Sequence, residues 1–151
     1  MIRQTIALLC LALWGLASAC NAQDDSAQAQ GRTYAYAFAN EGGDDVEGIA
    51  RLDSFIQQRL RDAGLLASGR GEGRVEVTVT HYYARSDGAR AWAGIMAGRD
   101  KVASRVRVLD AGGGVLGEFE VESANATAFG STAGLHEKHA DEIVARLQQL
   151  P

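Results

Sequence analysis

The chain has 151 residues, with 15 lysines and arginines against 19 aspartates and glutamates, and a formal net charge of −4. This acidic balance lacks the basic footprint that general nucleic-acid binding needs, so the composition argues against a nucleic-acid partner. The length is enough for one domain with its own hydrophobic core.

The first nineteen residues have the layout of a secretory signal peptide. Arg3 is followed by an almost wholly apolar stretch at 6–17, and the small residues 17–19 precede Cys20. The apolar stretch is shorter than the ~20 residues that a transmembrane helix needs. We predict cleavage before Cys20, which resembles the lipid-bearing first residue of bacterial lipoproteins. The usual lipoprotein pattern has leucine where Ala17 stands, so ordinary cleavage that leaves a free thiol stays open.

The segment after the signal is predicted to be a tether. Cleavage would leave Cys20 as the only cysteine, which excludes an internal disulfide. Residues 21–32 are small and polar, as in a flexible linker between an anchor and a domain. Asn21, by resemblance to Gram-negative lipoproteins, favours the outer membrane over the inner one. We expect a lipid-anchored protein on the periplasmic side of the outer membrane, with the soluble periplasm as the alternative.

Residues 33–151 are predicted to form a single α+β domain. The first strand covers 33–39, where Tyr34, Tyr36 and Phe38 share one face. Apolar residues then recur at helical spacing from 49 to 60, which indicates an amphipathic helix that ends near Gly64.

Three strands are predicted next, at 74–84, 101–110 and 115–122, because apolar and polar residues alternate in each. In the first of them, His81 and Tyr83 continue the inward face that three valines begin. In the last, Val115 is expected to point inward. These strands supply most of one face of the predicted core.

The last two strands are joined by residues 111–114 as a hairpin loop. The register that fits has four cross-strand pairs, which are Asp110–Val115, Arg107–Glu118, Arg105–Glu120 and Val106–Phe119. Apolar side chains then meet on one face and opposite charges on the other, as a correct register requires.

The final helix is predicted at 135–150, with His139 on its apolar stripe and His136 as a solvent-side neighbour. The element order is β-α-β-β-β-α. We therefore expect a two-layer domain, in which two helices cover one face of a four-stranded mixed sheet.

Motifs for catalysis and cofactor binding are missing from the sequence. No serine has the Gly-x-Ser-x-Gly surround, and no glycine cluster is followed by the Lys-Ser/Thr of a phosphate loop. His136 and His139 could share a helix face, but they fall short of a three-ligand metal set. We predict no catalytic residue, no metal and no cofactor, and we expect that the protein is not an enzyme.

An acidic loop precedes the first helix. Asp44, Asp45 and Glu47 could bind a cation or act in acid–base chemistry, but residues of this type more often cap a helix and complement its dipole.

Residues 85–100 form a long connection between strands and contain the predicted partner-binding residues. Trp92, Ile95 and Met96 lie among small residues and are flanked by Arg90 and Arg99. An apolar tip rimmed by cations suits a membrane interface or a protein partner. The alternative is a loop that folds back, with Trp92 packed on the edge of the sheet.

The sequence motifs from Arg85 onward carry a family resemblance. They comprise Arg90-Ala91, Gly94, Gly98, the strand at 106–110, Gly113-Gly114, the segment 116–119, and Ala140, Ile143, Ala145 and Leu147 of the last helix. In these residues the chain resembles a family of small uncharacterised Gram-negative lipoproteins defined by a domain of unknown function. The resemblance implies a lipoprotein without an assigned enzyme activity.

Two functions therefore stand as hypotheses. The first is a non-enzymatic envelope lipoprotein that binds or assembles with an envelope protein and contacts the membrane through Cys20. The second is a soluble periplasmic small-ligand-binding protein or hydrolase. The second requires a pocket in which the acidic loop, residues 44–47, meets His81 or His136.

Overall fold

The computed structural model describes residues 32–69, 71–84, 99–125 and 130–150. The predicted signal peptide, Cys20, nearly all of the tether, and Arg90, Trp92, Ile95 and Met96 lie outside these ranges. The elements are β1 Tyr34–Asn40, α1 Val46–Asp62, β2 Gly73–Tyr83, β3 Lys101–Asp110, β4 Val115–Ala124 and α2 Thr132–Gln148. The predicted β-α-β-β-β-α order is confirmed.

The four strands form one mixed sheet in the order β1-β2-β3-β4. β1 is parallel to β2, and the other neighbours are antiparallel. Both helices pack on one face of this sheet and against each other, which confirms the two-layer α+β architecture. The core lies between the layers and includes the fully buried side chains Leu52, Ile56, Val77, Val106 and Ile143.

Each helix begins at a capping side chain. The Asp45 carboxylate accepts a hydrogen bond from the Gly48 amide at 2.9 Å, and the Ser131 hydroxyl accepts one from the Gly134 amide at 3.0 Å. Such bonds satisfy amides that have no partner within the helix. The Ser131 cap places the start of α2 three residues before the predicted one.

The β3–β4 hairpin confirms most of the predicted register. Arg107 pairs with Glu118, Arg105 with Glu120 and Val106 with Phe119.

The predicted Asp110–Val115 pair is wrong. Leu109 pairs with Val115 and Val108 with Gly117, so Leu116 is an extra residue that forms a bulge. The bulge leaves Val115 56% exposed and Leu116 41% exposed, although Val115 had been expected to point inward.

A second bulge corrects the prediction for His81. Val79 pairs with Ser104 and His81 with Ala103, so the intervening Thr80 is an extra residue in β2. The extra residue reverses the alternation of side chains. His81 is therefore exposed, and Tyr82 points inward instead with 6% exposure.

The register gives the domain two distinct ends. Tyr34 pairs with Gly73 and Gly73 with Asp110, so the chain enters the domain at the same end as the β3–β4 turn. We call this the entry end. β1, β2 and β4 all finish at the opposite, far end, where both helices begin. In the ranges that the structure describes, no helix has the length and hydropathy needed to cross a membrane.

Candidate functional site

A cleft of about 380 Å³ opens at the far end, between the first turns of the two helices. Its walls come from α1, from the end of β2 and from the start of α2. The lining residues are Asp45, Glu47, Gly48, Arg51, Tyr82, Ala84, Ser131, Thr132, Ala133 and His136. Such a concave site with several convergent polar groups is a typical place for a small ligand.

His136 and Tyr82 form the buried wall of this far-end cleft. The Tyr82 hydroxyl lies 2.9 Å from Nε2 of His136, and the His136 residue is only 1% exposed. The expected solvent-side position of His136 is wrong, because the ring packs beside Phe55 of α1 as well as Tyr82. Burial, and then the charge of Arg51, lowers the pKa of His136, so its imidazole is neutral at neutral pH.

Tyr82 reaches this position because of local backbone features. The bulge at Thr80 turns its side chain inward. A Cβ added at Gly48 would collide with the Tyr82 hydroxyl and the Asp45 carboxylate, so a larger residue there would displace these side chains. The inward position of Tyr82 was not predicted from the sequence. Gly48 was the available signal, since glycine within a helix costs ~1 kcal/mol relative to alanine.

The acidic loop serves as a helix cap and also contributes to the cleft. Asp45 caps α1, and Glu47 forms an ion pair with Arg51 one turn further along. Both carboxylates complement the positive end of the α1 dipole. The structure thus brings Asp45 and Glu47 together with His136 around one cleft, whereas Asp44 and His81 do not line it.

His139 lies in the core, as predicted. Its Nδ1 is 3.1 Å from the Ser123 hydroxyl and its Nε2 is 2.9 Å from the Ser104 hydroxyl. Burial, and then the neighbouring His136, lowers the pKa of His139 to about 4. The two contacts with serine hydroxyls engage both ring nitrogens inside the protein. Among the described residues, no three metal-ligating side chains of the His, Cys, Asp or Glu type are grouped closely enough to hold an ion.

The sheet face opposite the helices carries a ladder of alternating charges. Arg107 lies 3.5 Å from both Glu76 and Glu118, and Arg105 lies 3.8 Å from Glu120. The last ion pair of the ladder joins Lys101 Nζ and Glu122 Oε2 at 2.8 Å. These pairs are partly or largely exposed, so each contributes little to stability on its own.

Arg99 is the one predicted partner-binding residue inside the described ranges. It is exposed and lies just before β3, at the far end. Arg90, Trp92, Ile95 and Met96 belong to the preceding segment, which is outside those ranges. The described flanks of this segment, Ala84 and Arg99, place both of its attachment points at the far end.

Comparison with solved structures shows the same fold in other proteins. PelC from Paraburkholderia phytofirmans, described as a dodecamer, is similar with a TM-score of 0.60 and 13% identity, over 79% of this chain and 89% of that one. A Xanthomonas campestris protein of the family DUF330 is similar with a TM-score of 0.52 and 10% identity, over 80% and 85%. No curated protein matches the chain.

A family model covers more than half of the sequence. The model is described as "Domain of unknown function (DUF4410)" and matches residues 39–128. The match begins before Arg85, where the resemblance noted in the sequence starts, and it ends before the last helix. It confirms that a domain of unknown function defines the relatives of this protein. The chain therefore belongs to the DUF4410 family.

Proposed function

We propose that the protein is an exported envelope lipoprotein, held by Cys20 at the periplasmic side of the outer membrane, whose domain is a non-enzymatic binding or assembly module. The observation that carries this proposal is the signal-like stretch of small and apolar residues that ends at Cys20. Three acyl chains on a processed lipoprotein cysteine would satisfy the requirement for more than one chain in stable anchoring.

The domain supports a binding role through its surfaces rather than its interior. The buried imidazole of His139 bonds protein hydroxyls with both of its nitrogens, as a structural group does. The charge ladder of the sheet and the far end are accessible in the described part of the chain. PelC, which has this fold, is described as a dodecamer, so the fold is compatible with assembly.

The anchor is tested by the intact mass of the mature protein from native membranes, compared with a Cys20→Ala variant. We expect the wild-type mass to exceed that of the polypeptide from Cys20 onward by a diacylglyceryl group and a fatty acid. A bare mass in the soluble fraction would contradict the anchor and favour a freely diffusing protein.

We further propose that Arg90, Trp92, Ile95, Met96 and Arg99 contact the partner. Trp92→Ala should then reduce recovery of cross-linked partners from the envelope without lowering the melting temperature. Val46→Ala, which shortens an exposed apolar side chain of α1, is the matched control and should leave recovery unchanged. A large fall in melting temperature for Trp92→Ala would show that Trp92 belongs to the core instead.

A second candidate function is small-ligand binding or hydrolysis at the far-end cleft. It is favoured by the convergence of Asp45, Glu47 and His136 on one cavity. A thermal-shift screen with divalent cations and envelope sugars tests it. A shift that Glu47→Gln abolishes, and that Glu137→Gln on an exposed face of α2 preserves, would support this function.

A further inference from the structure

The β3–β4 turn forms an uncharged tip at the entry end. Residues 111–117 read AGGGVLG, without a charged side chain between Asp110 and Glu118. The Asp110 carboxylate is folded into the turn, where it accepts hydrogen bonds of 2.8 Å from the amides of Gly112 and Gly114. The surface of the tip is therefore glycine backbone together with Ala111, Val115 and Leu116, and the one carboxylate at its base, Asp110, is exposed but bonded to the turn amides.

The two apolar side chains are exposed because of the bulge at Leu116. In a regular strand, one of two consecutive residues would point toward the core. Here both point outward, at 56% and 41% exposure. The bulge therefore leaves two apolar side chains in solvent that contribute little to the core. Departures of this kind are typical of functional surfaces.

The tip lies beside the point where the chain enters the domain. Tyr34, the first residue of β1, lies at the same end of the sheet as Asp110, because both residues pair with Gly73. Twelve residues, 21–32, separate Cys20 from that point, which corresponds to a distance of about 20 Å for a flexible chain. A lipid anchor on Cys20 would thus keep the tip within reach of the membrane surface.

We propose that the hairpin tip, Val115 and Leu116, contacts the lipid surface to which Cys20 is anchored, so that the far-end cleft faces away from it. This inference rests on the lipid anchor proposed above. Two side chains bury far less area than the roughly 800 Å² per partner of a stable protein interface, so the tip is too small to hold a second copy. It is large enough to orient a domain that acyl chains already hold.

The test uses the lipidated protein in vesicles of phosphatidylethanolamine and phosphatidylglycerol. The predicted mature chain has no thiol except Cys20, which lipidation blocks, so Leu116→Cys can carry an environment-sensitive fluorophore. Asp44→Cys, which is exposed at the far end and outside the cleft lining, is the matched control, and Val115→Cys repeats the measurement at the neighbouring position. Intact mass of each preparation establishes first whether the acyl groups are present.

We expect a blue shift of the emission and loss of intensity with nitroxide-labelled lipids at 116 and 115, and neither at 44. An acylated protein whose labels at 115 and 116 behave like the label at 44 would overturn the inference and leave the anchor intact. A blue-shifted emission that nitroxide-labelled lipids do not quench, and that disappears when the protein is diluted, would indicate a contact with protein. This outcome would also overturn the inference. A protein without acyl groups would refute the proposed anchor, and the inference with it.

Discussion

Two histidines, His136 and His139, are buried in the described part of the domain. His139 is fully buried between two serine hydroxyls, and His136 is bonded to Tyr82 at the wall of the far-end cleft. A buried imidazole is stable in its neutral form, because burial penalises the charged form. Protonation of either ring inside the folded domain is therefore unfavourable.

Acidification should destabilise the domain through His139. Its folded pKa is about 4, below the value of about 6.5 for an unfolded histidine, so the unfolded state binds more protons between these values. The contribution of His139 to the free energy of unfolding is then complete above about pH 6.5, and it falls by on the order of 3 kcal/mol by pH 4. Urea denaturation at several pH values measures this loss.

A substitution separates the effect of His139 from that of other groups that titrate in acid. His139→Gln should flatten the pH dependence, whereas His81→Gln, at an exposed position of β2, should preserve it. The same slope in both variants would show that other groups, such as His136 or the carboxylates, cause the loss.

The Tyr82–His136 contact gives a second prediction at this scale. Tyr82→Phe removes the hydroxyl that lies 2.9 Å from the buried Nε2 of His136. The variant should lose about 1–2 kcal/mol of unfolding free energy, because a buried polar atom is left without its partner. Tyr83→Phe, at the half-exposed next position, should change it by less than about 0.5 kcal/mol. Equal effects in chemical denaturation would contradict a structural role for the Tyr82 hydroxyl.

At the scale of elements, the β3–β4 hairpin is held in register by its two faces together. Val106 faces Phe119 on the core side, and Arg105 and Arg107 face glutamates on the other. A shift by one residue would move the apolar side chains to solvent and the charges to the core, so the register is strongly specified.

A charge reversal within the ladder tests this contribution. Arg105→Glu places like charges beside Glu118 and Glu120 and should lower the free energy of unfolding by about 1 kcal/mol. The second change, Glu120→Arg, should restore most of the loss. The difference in unfolding free energy between the wild type and Arg105→Glu should shrink in high salt, because exposed charges are screened. A double variant no more stable than the single one would show that these charges do not help to set the register.

At the scale of the whole molecule, the described hydrophobic core begins with the first residue of β1. Every buried apolar side chain in the described ranges lies between Tyr34 and Leu147. The backbone of Tyr34 bonds Leu65 and Ala67 at 2.8 and 2.9 Å, which fixes the start of β1. The domain boundary near residue 33 stays a prediction.

A truncation checks this boundary. A chain that begins at Arg32 should keep the unfolding free energy of the unlipidated chain that begins at residue 20. A chain that begins at Ala35 should be less stable, because it lacks Tyr34 and its backbone bonds. A marked loss on removal of residues 20–31 alone would contradict the prediction that they are a tether. Chemical denaturation of the three proteins decides between these outcomes.

The sequence by itself determined the element order, the buried face of α1 and the hairpin register away from the turn, because these follow from local periodicity and from pairing between adjacent strands. It also indicated that His139 belongs to the core. Tertiary structure decided the rest. Bulges at Thr80 and Leu116 reversed the alternation that the sequence pattern assumed, and they turned Tyr82 inward and Val115 outward.

The far-end cleft could not be predicted from any one segment. His136 is buried because α1 packs against α2, and that contact joins residues far apart in the sequence. The cleft forms where β2 ends and both helices begin, so Asp45, Tyr82 and His136 meet only in the folded chain. Local pattern specifies which elements form, whereas interruptions of that pattern and long-range packing decide which side chains come together.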